Sequence, residues 1–151
     1  MVCEDTDHGD GIKDIDMAQN YYKGFTDASI LNNGNFQFLT DEIKVLLITN
    51  QYVFNASHAT IGALVAGDEF AGAGYTAGGI PIAGKSLVGN ALFGDNLSWP
   101  VITGDVSGAI MYKASGGALM AHFDFGYTFN INEDELQINW GEAGLFVQTF
   151  N

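Results

Sequence analysis

The chain contains no arginine; its five cations are all lysine, set against eighteen acids for a formal net charge of −13. Phosphate backbones are gripped by clustered Lys and Arg, so this balance argues against a nucleic-acid partner, and it disfavours an anionic membrane surface in the same way. Cys3 is the single cysteine, which excludes an internal disulfide. No apolar run approaches the roughly 20 residues of a membrane-spanning helix. The first residues, MVCEDTDHGDG, have neither the basic nor the apolar region of a secretion signal, so the sequence reads as a soluble protein not exported by that route. Charged residues make up only 15%, which leaves a weakly charged surface with room for partners.

What is present is apolar and aromatic: 47% hydrophobic residues and 13% aromatics in 151 residues, enough for one domain with a real core. Two regions differ in composition. Residues 1–30 form an acidic arm, with seven acids by Asp27 against Lys13 and Lys23. Its aspartates suggest a calcium loop, but the register fails: counting from Asp5, the fifth position is Gly9, the sixth Asp10, and the twelfth Asp16 instead of glutamate. A solvated arm is the simpler reading. Ile15, Ala18 and Tyr22 have helical spacing, Asp14 suits an N-cap and Gly24 a terminator, which predicts a short helix over 14–23. Ile12, Ile15, Tyr21 and Tyr22 are then the residues by which the arm meets a partner.

Residues 31–151 read as a single β domain. After the NNGN turn at 32–35, Phe36, Phe38 and Leu39 start an extended segment. The run IKVLLIT at 43–49 predicts a strand buried on both faces, with 51–54 extending it or pairing beside it. Residues 59–66 suit a helical turn or a strand equally well. Over 119–131, Leu119, Ala121, Phe123, Phe125, Tyr127, Phe129 and Ile131 alternate with a mostly polar set, which predicts an aromatic inner face and a polar outer one. Gly126 marks a bulge or bend within it. The strand at 109–113 stops at Ser115, Gly116 and Gly117, so it makes a hairpin with 119–131. Two further alternating stretches follow at 136–140 and 144–150. The fold class is mainly β, an antiparallel sandwich or barrel with a short N-terminal arm or helix.

The stretch GAGYTAGGIPIAGKS at 72–86 supports two incompatible accounts. Residues 79–86 match the P-loop pattern G-x-x-x-x-G-K-[ST] at every position. A working P-loop lies between a buried strand and a helix, whereas here glycines precede it, Pro81 lies inside it, and Gly84, Gly89 and Gly94 weaken any helix after it. The other account is architectural: Gly74, Gly78 and Gly79 supply positive φ around Tyr75, and Ile80-Pro81-Ile82 is a short apolar strand. Lys85 is then a strand-end lysine, and no cofactor is called for. Catalytic pairings are sparse. His58 and His122 are separated, and His122 with Asp124 is as well read as a surface hydrogen-bonded pair as an acid-base dyad. Glu133, Asp134 and Glu135 read as turn-capping acids.

The blocks DEIKVLLITNQYVFN at 41–55, AGAGYTAGGIPIAGKSL at 71–87, LFGDNLSWP at 92–100, SGAIMYKASGG at 107–117 and LMAHFDFG at 119–126 occur in an order that resembles a family of small virion proteins of tailed bacteriophages and prophages. The likeness spans about residues 31–147. It implies a non-enzymatic structural component of the particle, made in the host cytoplasm and located in the virion. Partners implied are the major capsid protein or other virion proteins and further copies of itself. Within the blocks, Trp99 and Tyr112 join Gly74, Tyr75, Gly78 and Gly79 as turn and packing residues. The expectation is a capsid decoration (cement) protein, with a neck, tail or fibre component as the alternative. A calcium-dependent ligand-binding β domain is the competing class, with the aspartate arm and exposed Trp99 and Trp140 as its carriers.

Overall fold

The computed structural model describes residues 2–5, 13–16, 18–23, 37, 39–88, 91–140 and 146–147. The turn at 32–35, Phe36, Phe38 and Ile12 lie outside the described residues. In chain order the strands are β1 (Val2–Asp5), β2 (Lys13–Asp16), β3 (Ala18–Tyr21), β4 (Ile43–Ile48), β5 (Ile80–Pro81), β6 (Ser86–Val88), β7 (Ala91–Phe93), β8 (Leu97–Lys113), β9 (Leu119–Asn139) and β10 (Phe146–Val147), with a 3-10 turn at Ile61–Ala63. The fold is mainly β and antiparallel. The sheet is open and not closed into a barrel: its order is β2-β1-β9-β8-β4-β5 with β3 also on β9, and β10-β7-β6 forms a separate three-stranded sheet.

The long hairpin of β8 and β9 is the frame. Its turn reverses on Gly116 and Gly117, at φ +81° and +71°, a conformation that suits glycine. Register shifts fall between Trp99 and Ile102, Ile102 and Gly104, Val106 and Gly108, and Met111 and Tyr112. Pro100 stands at the first of these, where no ladder amide is required of it. Gly126, at φ +86°, lies in the excess of β9 over β8 between the pairs Gly108 with Asp124 and Val106 with Phe129. Such bulges bend a strand. The bend is large: the Phe123 and Trp140 rings lie 5.6 Å apart, whereas a straight strand would separate them by about 55 Å. The hairpin folds back on itself around one core, to which Val45, Trp99, Met111, Phe123, Ile138 and Trp140 all belong.

A second core of Tyr22, Leu46, Ile48, Tyr52, Ile110, Tyr112 and Leu119 covers the opposite face of β4 and β8. This is why IKVLLI carries no alternation: residues 43 to 48 are buried except for the half-buried Lys44. The same cover alters the expected outer face of β9. Met120 and His122 fall on the side expected to be polar, yet they are 0% and 7% exposed: Met120 joins the main core, and the His122 ring packs on Tyr52 and Phe54 of the crossing at 49–58. Residues 51–54 form no strand.

The N-terminal region differs most from expectation. The helix expected over 14–23 is replaced by two strands, Lys13–Asp16 and Ala18–Tyr21. β1 pairs with β9 at 136–139 and β2 lies outside β1, whereas β3 pairs with β9 at 121–124. One residue separates β2 from β3, so this segment straps the two arms of the bent β9 together. Backbone pairing overrode the helical spacing, because β9, paired with β8 on one side, presents on its other edge two stretches whose amides and carbonyls need partners.

Candidate functional site

The glycine-rich turn is held by one carboxylate. Glu69 Oε2 accepts the Tyr75 hydroxyl at 2.6 Å and the Gly78 amide at 2.6 Å. The Tyr75 oxygen accepts in turn from the Leu47 amide at 3.2 Å, and the Tyr112 hydroxyl donates to the Gly78 carbonyl at 2.6 Å. Burial and the nearby Glu69 carboxylate both push the Tyr75 hydroxyl well above the ordinary phenol range, and Tyr112 is raised by burial and then by the charges of Glu69 and Glu42. Both tyrosines are neutral donors at any physiological pH. Gly74, Gly78 and Gly79 stand at φ +82°, +91° and +76°. A side chain on Gly79 would strike the Val45 carbonyl, and one on Gly74 the Val101 carbonyl. The G-Y-T-A-G-G sequence is thus a staple that seats its turn against β4 and the start of β8.

The P-loop match does not have its architecture: Ile80–Pro81 and Ser86–Val88 are strands, so Lys85 leads into a strand where a P-loop leads into a helix. The Lys85 ammonium donates to the Asp41 carbonyl, while the Asp41 carboxylate accepts the Gln37 amide at 2.7 Å and lies 3.6 Å from Lys113 Nζ. Lys85 therefore secures the entry to β4. Asp5, Asp14 and Asp16, candidate calcium ligands, belong to paired strands β1 and β2, and Asp7 and Asp10 lie outside the described residues. Among the described residues no group of three or more His, Cys, Asp or Glu is placed to hold a metal ion, and no helix is long and apolar enough to cross a membrane.

Trp99 and Trp140, expected on the surface as ligand carriers, are buried at 3% and 2% exposure. Trp140 donates its indole N–H to the Asp95 carbonyl at 2.9 Å, and the Trp99 indole N–H lies buried without an acceptor among the described residues. Both are packing residues of the main core, so the ligand-binding reading loses its two aromatic carriers. Tyr22, expected to face a partner, is fully buried, and Tyr21 is 39% exposed. Ile15 lies on β2.

A second polar cluster gathers three chain segments. On β9, His122 Nδ1 lies 3.2 Å from Asn20 Nδ2 of β3, and its ring stacks on Phe54 at 5.3 Å with Tyr52 at 5.6 Å. The Tyr22 and Tyr52 hydroxyls are 2.5 Å apart, and Tyr52 reaches His58 Nδ1 at 3.2 Å. Burial lowers the His122 value, opposed by the charge of Asp124. Asp124 itself is exposed and accepts the Gly126 amide at 2.8 Å, so the pair is not a surface dyad. Glu69, Asn20 and Tyr52 were not singled out from the sequence: a lone carboxylate nine residues before Gly78 carries no local signal, and Asn20 meets His122 only through strand pairing. Compared with protein families, with curated proteins and with solved structures, the chain matches none.

Proposed function

We propose that this chain is a non-enzymatic structural protein of a bacteriophage virion, made in the host cytoplasm and placed on the shell exterior as a capsid decoration (cement) protein. It docks as a homo-oligomer on the major capsid protein. The observation that carries the non-catalytic part is the use of Glu69, Tyr75, Gly78 and Tyr112: the polar groups of the most motif-like stretch are spent on one another and on the backbone of β4. The order of the five sequence blocks supports the virion part, and the folded-over sheet of a small sandwich suits a rigid module added to a shell. The acid excess keeps such a module soluble before assembly.

Immunogold labelling of particles with antibody against the whole chain tests the assignment. Label distributed over the shell is the expected result. Label confined to neck, tail or fibre replaces decoration with a tail role, and particles that neither label nor copurify with the chain overturn the virion reading.

A further inference from the structure

We propose that the cluster around His122 is an acid-sensitive latch, in which protonation of the ring releases the N-terminal strand β3 from β9 while the rest of the sheet stays folded. The proposal does not depend on the virion assignment. Its basis is the way three segments close on one imidazole. Asn20 comes from β3, Tyr52 and Phe54 from the 49–58 crossing, and His122 from β9. Tyr22, the residue after β3, anchors the same segment through its contact with Tyr52 and its tilted packing on Phe54 at 5.1 Å.

Neutral His122 accepts the Asn20 amide at Nδ1, which places its own proton on Nε2. Protonation puts a second donor at Nδ1, facing the amide donor of Asn20. Turning the Asn20 amide over would restore that one contact, but a charge would remain in a site 7% exposed, against an aromatic face. The titratable and charged groups facing the ring are Asp124 on its own strand, Tyr22 beside β3, and Tyr52 and His58 on the crossing, with Asp68 behind Tyr52. Asp124 favours the charged ring, yet burial outweighs it. The sign follows: the unfolded or released state binds the proton more readily, so the latch is closed above the ordinary imidazole value of 6.5 and loosens as pH falls below it. Further ties of this segment include the β3–β9 ladder of four residue pairs, the Tyr22 amide to the Met120 carbonyl at 3.1 Å and the Lys23 amide to the Ala56 carbonyl at 2.8 Å. β4 and β8 pair with each other independently of them.

Amide hydrogen exchange on the full chain, corrected for intrinsic rates, tests this. Protection of residues 19–22 should fall by up to about tenfold per pH unit below 6.5, while Val45 and Met111 keep theirs. His122→Gln, which cannot titrate, should make the 19–22 protection flat with pH, and His58→Gln should leave the wild-type dependence in place. If His122→Gln does not fold, the His122 ring proton followed by NMR in the wild-type chain must titrate below 6.5 and in step with the loss at 19–22. Unchanged protection at low pH overturns the latch, as does equal loss at Val45 and Met111. A pH dependence that persists in His122→Gln, or a ring midpoint at or above 6.5, overturns it too.

Discussion

Glu69 is the residue on which the most motif-like part of the chain depends. It is half-buried, and its Oε2 takes two donors at 2.6 Å that have no other use in the turn. Replacing it removes charge-assisted bonds and leaves the Gly78 amide and the Tyr75 hydroxyl short of an acceptor, a loss of about 2–4 kcal/mol. Urea unfolding of Glu69→Ala should show a destabilisation of that order. Lys85→Ala, which loses the bond to the Asp41 carbonyl at the entry to β4, should cost below about 1 kcal/mol. A silent Glu69→Ala would mean that the glycines hold the turn without the staple, and a measurable ATP affinity that Lys85→Ala abolishes would restore the P-loop account.

At the scale of elements, the N-terminal segment is a strap and not an appendage. β1 and β3 satisfy the edge of β9 at 136–139 and 121–124, and the fully buried Tyr22 closes the second core. Burying an aromatic side chain of that kind contributes about 2–3 kcal/mol. Removal of residues 1–23 should therefore lower the thermal transition by more than about 10 °C while leaving it cooperative, and the uncovered edge should make the fragment prone to aggregate. Tyr22→Ala isolates the packing part, with an expected loss of about 3 kcal/mol. A truncated chain that melts with the full-length protein would show that the strap adds nothing to the sheet.

For the whole molecule, eighteen acids on a domain of 151 residues with five lysines repel one another across the surface. Self-repulsion of this kind opposes the compact state and is screened over a Debye length of about 10 Å at 0.1 M salt. Raising sodium chloride from about 10 mM to about 200 mM should accordingly raise the melting temperature by a few degrees. A melting temperature that falls with salt would instead mean that attractive ion pairs dominate.

Local pattern alone determined much of the chain: a mainly β fold, the strand at 43–48 buried on both faces, the hairpin reversing at Gly116 and Gly117, the bend at Gly126 and the turn around Tyr75. Each follows from backbone sterics or from a side-chain period within a few residues. Only the tertiary structure decided that β9 folds back far enough to bring Phe123 onto Trp140 and bury both tryptophans. It also decided that Lys13–Asp16 and Ala18–Tyr21 are strands where the spacing predicts a helix, and that His122, whose neighbours read as a polar face, is buried under Tyr52 and Phe54. The physical reason is the same in each case. Burial and backbone pairing are settled by what arrives from elsewhere in the chain, and a residue's own neighbours in sequence carry no record of it.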